Sequence, residues 1–198
     1  PAGNNLGGLG PGSGEQLIRF SGVATLYGQS IDLIVRAVDD YTSSRARLRN
    51  GCSGLFASIH INSGTSVSLT FSFVYTTGGA TATVPSFQMS FFDIDEYHNN
   101  DAKESVWVDG YTSYFLSEPS YVRLNAGTFG STTFGSGRTN PTDPMAITDE
   151  QRKYAVGFLF DNTASFPVRF RVQGGVSGRN FFFAGTSSVA PNCDPPSP

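Results

Sequence analysis

The sequence predicts an all-β fold, a jelly-roll-like β-sandwich or barrel of about ten to twelve short strands with one helical turn near residues 148–152. Three observations predict it. Short runs alternate apolar and polar residues with a period of two, as in Val67, Leu69, Phe71, Phe73 and Tyr75 set against Ser and Thr. Gly (23) and Pro (11) punctuate these runs at the spacing of strand-connecting turns. Only one helix start is convincing: Thr148-Asp149-Glu150-Gln151 has the capping-box spacing, and Pro141 and Pro144 precede it. The length of 198 residues suits one well-buried domain, and no internal repeat is visible.

In chain order, residues 1–14 (PAGNNLGGLGPGSG) bury too little apolar surface to order themselves and read as a flexible arm. Leu17 to Phe20 and Val23 to Tyr27 form a strand-like run interrupted at Ser21-Gly22, so residues 1–27 are expected to be an N-terminal arm on a sandwich of residues 28–187. Residues 30–41 form a strand. Arg45, Arg47 and Arg49 alternate and would share one face of an extended chain. Residues 54–62 and 66–76 read as a hairpin across Ser63-Gly64, with His60 facing solvent. Val84–Asn100 begins as a strand with Phe87, Met89 and Phe91 on one face and ends in a dense acidic turn. Further strands fall at 104–110, 112–117, 120–124, 127–137, 153–162, 166–173 and 178–185, with Arg179 available to a carboxylate such as Asp161. The Pro-rich tail, 188–198, is extended and offers Ser or hydroxylated Pro to O-linked sugars, which would make the chain a glycoprotein.

Composition excludes several function classes. Charged residues make up 15% and the net charge is −3, which argues against nucleic acid as a partner. No run approaches the ~20 apolar residues of a membrane helix. The chain starts at Pro1 with no signal peptide, as expected of a mature secreted form whose targeting segment has been removed. Cys52 and Cys193 are too far apart in sequence for a local metal motif. In a secreted protein they are expected to form a disulfide, worth roughly 4–5 kcal/mol in the chain-entropy model, that ties the tail to the body; the alternative is two free thiols.

The most chemically specific stretch is FFDIDEYHNND. Asp93, Asp95 and Glu96 supply oxygens for a calcium ion, and Asn99, Asn100 and Asp101 could add more. The bland alternative is a solvated acidic turn. Calcium is the one candidate cofactor, because His60 and His98 are too far apart for zinc. Paired carboxylates such as Asp93 with Glu104 could act on a glycosidic bond, but neither a cleft nor a G-x-S-x-G elbow is legible, so no enzyme is expected. Trp107, Tyr111 and Tyr114, with Tyr121, offer a platform for sugar rings. Against this, Trp107 between Val106 and Val108 also fits core packing. Arg45, Arg47 and Arg49 suit sulfated or carboxylated glycans or a solvated face.

The segments GQSIDLIVRAVDDY, RNG-CSGLFASIHIN, FFDIDE, ESVWVDGY, TNPTDPMAITDEQRKYAVGFLF and GRNFFFAGTS, in this order over residues 22–187, resemble a secreted β-sandwich domain family of algae, other eukaryotic microbes and some bacteria. Within that group the chain looks most like protomers of extracellular helical fibrils that assemble by donor-strand complementation. The resemblance implies a structural, homopolymeric role in which an N-terminal strand of one protomer completes the fold of another. The segment with suitable apolar alternation carries Leu17, Ile18, Phe20, Val23 and Leu26, and the shorter Leu6–Leu9 piece is the other candidate; the plain alternative is that the segment is the first strand of its own sheet. The alternative function is a calcium-dependent carbohydrate-binding or adhesion module of the cell surface, with glycans as partners.

Overall fold

The computed structural model describes residues 1–96, 102–131 and 141–186. Among these, fourteen strands and two one-turn α-helices follow one another. They are β1 (Gly3–Asn4), β2 (Leu17–Leu26), β3 (Gln29–Ala37), α1 (Ala46–Arg49), β4 (Gly51–Ser53), β5 (Phe56–Ile61), β6 (Ser66–Tyr75) and β7 (Val84–Phe92). Then come β8 (Lys103–Val108), β9 (Ser113–Phe115), β10 (Val122–Asn125), β11 (Thr128–Ser131), α2 (Asp149–Arg152), β12 (Val156–Thr163), β13 (Ser165–Gln173) and β14 (Arg179–Thr186).

The strands form two sheets, antiparallel at every pairing. The larger has the order β1-β2-β3-β6-β13-β8-β11-β10 and the smaller β4-β5-β14-β7-β12-β9. They face each other across a phenylalanine-rich core. The Phe71 ring of β6 lies 5.1 Å from Phe183 of β14 and 6.4 Å from Phe91 of β7. Phe73 meets Phe87 at 4.9 Å, and Phe170 stacks on Phe181 at 4.3 Å. The period-two pattern is the cause: in β13, Phe166, Val168, Phe170 and Val172 are buried while the alternate residues are exposed. This is the expected β-sandwich.

The capping box starts α2 as the spacing requires. Thr148 Oγ1 accepts from Gln151 N at 3.2 Å, and Gln151 Oε1 accepts from Thr148 N at 3.0 Å.

Four local expectations are corrected. Residues 54–62 and 66–76 do not pair: β5 lies in the small sheet beside β4 and β14, and β6 in the large one between β3 and β13, so Ser63-Gly64 crosses between layers. His60 is buried, because the chain from Tyr41 to Asn50 covers the outer face of β5. Tyr41 donates its hydroxyl to the His60 carbonyl at 2.6 Å, and Ser43 Oγ lies 2.8 Å from His60 Nδ1. Arg45, Arg47 and Arg49 do not share a strand face, because this covering segment closes as α1 with Ala46 turned inward. Arg179 lies 3.6 Å from Glu104 rather than beside Asp161, which accepts from Thr112 Oγ1 at 2.9 Å.

The N-terminal residues are not a free arm. Leu17–Leu26 joins β3 through the two-residue turn Tyr27-Gly28, both with positive φ (51° and 76°), the hairpin turn whose twist matches the strands. Its Leu17, Ile18, Phe20 and Val23 are buried, and Leu26 packs on the core edge. The irregularity foreseen at Ser21-Gly22 is a β-bulge between Phe20 and Ala24.

Candidate functional site

Three places carry the residues that the sequence singles out. The first is the acidic corner after β7. Beyond Phe92 the chain turns through Asp93 in a left-handed conformation (φ 60°), and Ile94 drops into the core. Asp95 N donates to Glu104 Oε2 at 3.3 Å, while Glu104 N donates to the Asp95 carbonyl at 3.1 Å. Glu104 is buried. Burial, then the nearby Asp95 and Asp93 charges, hold its carboxyl well above the usual range, against the opposing pull of Arg179. Glu96 turns elsewhere, its carboxylate 3.7 Å from Lys103 Nζ across a β-bridge. No group of three metal-binding side chains forms among the described residues. The other expected oxygens, Asn99, Asn100 and Asp101, lie outside them, as do His98, Cys193 and the Pro-rich tail. Cys52 is half-buried on β4, against the core.

The second place is the outer face of the large sheet. Trp107 is only partly buried, because alternation turns Val106 and Val108 inward and the indole outward. It stands opposite Arg169 on β13 and Thr128 on β11. Tyr111 and Tyr114 do not join it. Tyr111 packs 5.0 Å from Phe158 and 6.2 Å from Tyr114, which rests 5.0 Å from Phe129. These tyrosines pack against Phe158 and Phe129 instead, so the expected three-residue platform reduces to Trp107. Tyr121 packs 5.0 Å from Tyr154, apart from these rings.

The third place is the slot occupied by the first residues. Strand β1 pairs with Ile18 and Arg19 at the edge of β2. Asn4 Nδ2 donates across to the Asn50 carbonyl, beside β4, at 2.8 Å. The segment thus spans from the edge of the large sheet to the edge of the small one. Leu6 is fully buried in the common core. Asn5 ties the following turn, accepting from Gly10 N at 3.0 Å and donating to the Gly14 carbonyl at 2.9 Å. Residues 11–16 are exposed throughout. Only the Leu6–Leu9 alternative, not Leu17–Leu26, therefore has the form of a short plug on a linker. The signal was present in the sequence as two leucines isolated in glycine.

No family model matches this chain, and no curated protein matches it. Among solved structures, it is similar to the N-terminal domain of the Streptococcus gordonii adhesin Sgo0707, with a TM-score of 0.52 and 12% identity over 83% of this chain and 46% of that one. It is also similar to the adhesin domain of PrgB from Enterococcus faecalis, with a TM-score of 0.54 and 16% identity over 89% of this chain and 63% of that one. This chain spans less than two thirds of either structure, and at these identities the likeness is one of fold. No described helix is long and apolar enough to cross a membrane.

Proposed function

We propose that this chain is the structural protomer of an extracellular helical fibril, polymerising when the N-terminal segment of one copy fills the slot of the next. One observation carries the reading: a short segment whose Leu6 is wholly buried bridges the two sheet edges and is joined to the domain by an exposed linker. The same contacts can be made within a chain or between copies, which is the condition for strand exchange. The six linker residues 11–16 reach roughly 20 Å when extended, so exchange requires neighbours in direct contact. The hairpin turn at Tyr27-Gly28 argues that β2 stays with its own chain. The resemblance to secreted fibril protomers supports the extracellular setting, and the adhesin-like fold is compatible with it.

The test is negative-stain imaging of the intact chain beside a variant lacking residues 1–9 and a Leu6→Asp variant. Filaments from the intact chain alone support the reading, and filaments from all three overturn it.

The second reading is a carbohydrate-binding or adhesion module, favoured by the outward Trp107. Calcium belongs to this reading, with Asp93 and Asp95 as its candidate ligands. A melting temperature lowered by EDTA and restored by calcium supports that ion, and an unchanged one overturns it.

A further inference from the structure

We propose that the outer face of the large sheet is a binding site for an anionic glycan, with Trp107 as the sugar platform and Arg169 and Arg171 as the anion clamp. Two open grooves run side by side there. One, of about 440 Å³, lies between the Gly64–Ser66 turn, Ser105, Trp107, Thr128, Arg169 and Arg171. The other, of about 380 Å³, shares Ser105, Thr128 and Arg171 and adds Lys103 and Arg123.

Register explains the arrangement. Arg169, Trp107 and Thr128 stand side by side on β13, β8 and β11, and the next outward-facing row is Ser66, Arg171, Ser105, Gly130 and Arg123. Directly opposed residues lie about 5 Å apart, and residues two apart on one strand about 7 Å. The two guanidinium groups and the indole are therefore within the span of one or two sugar rings.

The chemistry is specific. The negative face of an indole attracts the polarised C–H groups of a sugar ring. A guanidinium fork matches the oxygens of a sulfate or carboxylate and stays charged at every physiological pH. Arg169 and Arg171 are exposed, and Arg169 Nη2 donates to Ser66 Oγ at 3.3 Å, which steadies it without neutralising it. Two flanking cations are engaged: Lys103 faces Glu96 at 3.7 Å, and Arg123 donates to the Val122 carbonyl at 3.2 Å and also to that of Ser120. Ser66, Ser105 and Thr128 offer hydroxyls that pair with sugar hydroxyls. No carboxylate lines either groove among the described residues. A glycan fits better than a nucleic acid, because the protein carries a net charge of −3 and the patch offers a single aromatic platform rather than a row of stacking rings. The proposal is independent of polymerisation and needs no calcium.

Trp107 is the sole tryptophan, so its fluorescence reads this site directly. The intact protein is titrated with dextran sulfate, polygalacturonate, neutral dextran and single-stranded oligodeoxythymidylate. A saturable change with the sulfated or the carboxylated polymer, and none with neutral dextran, is expected. Whichever of the two binds tighter identifies the anion. Arg169→Ala and Arg171→Ala each weaken binding roughly tenfold. Trp107→Ala abolishes the calorimetric signal. Arg36→Ala, which removes a cation paired with Glu15 outside the grooves, leaves binding unchanged. The proposal is overturned by any one of three results: no saturable binding to either acidic glycan, equal or tighter binding to the oligonucleotide, or an equal loss from Arg36→Ala.

Discussion

Arg19 and Asp32 form a salt bridge of 2.6 Å that joins the two strands of the N-terminal hairpin, with the Asp32 side chain fully buried. Asp32 also accepts from Gly22 N at 2.9 Å, at the β2 bulge, and from Thr76 Oγ1 at 2.5 Å, beyond the end of β6. One carboxylate thus ties three strands and satisfies a bulge amide.

Burial alone would raise the Asp32 pKa. The hydrogen bonds from Thr76, Gly22 and Arg19 outweigh it and hold the carboxyl below its ordinary 3.8. A depressed carboxylate contributes stability that is fully present above pH 3.8 and is lost as pH falls through the folded-state value. Asp32→Asn is expected to cost about 3 kcal/mol at neutral pH in urea melts. It should also shrink the loss of stability at acid pH.

Gly7 has φ 59°, and a Cβ there would come within 2.8 Å of the Tyr41 ring. Gly7→Ala should therefore expel the plug, at a cost of about 1–3 kcal/mol, while β2 and β3 stay paired. Hydrogen exchange should show residues 3–9 losing protection and residues 17–37 keeping it.

His60 is held below 6.5 by burial, then by the Arg45 and Arg49 charges. Gly178 seals its far side, where a Cβ would lie 2.6 Å from Nε2. The unfolded chain binds the proton first, so stability falls as pH drops through 6.5 toward the lower folded-state value. Melts at pH 8 and pH 5.5 should differ in the wild type and differ less in His60→Gln.

Glu104 has the opposite sign. Its folded-state pKa is raised, so its stability contribution is greatest below 4.5 and is lost as pH rises above that value. Glu104→Gln keeps the shape and removes the titrating carboxyl. It should raise the melting temperature at pH 7 and leave it nearly unchanged at pH 4.

Much of the scaffold was legible because strand period is a local property. Val67 to Tyr75, Val84 to Phe92 and Phe166 to Gln173 each announce one buried face, and Thr148 with Gln151 announces a cap. Partners were not legible. Residues 54–62 and 66–76 look like a hairpin in sequence, yet they enter different sheets, because the apolar pattern states that a face is buried and not against what. The burial of His60 is hidden from the sequence for the same reason: the segment that covers it, Tyr41 to Asn50, is polar and carries no periodic signal.

The candidate sites divide in the same way. Alternation in FPVRFRVQ and ESVWVDG already turns Arg169, Arg171 and Trp107 away from their apolar neighbours, so the chemistry of each strand was set locally. That β8 and β13 lie side by side with Trp107 opposite Arg169 depends on long-range pairing. Likewise the glycine-isolated Leu6 marks a short apolar anchor, while the slot it fills exists only after two sheet edges approach. Sequence alone determined which side chains face outward, inward or into turns, because backbone geometry within a few residues decides that. Tertiary structure decided which of them meet, because pairing order and the packing of two sheets are settled by the whole core.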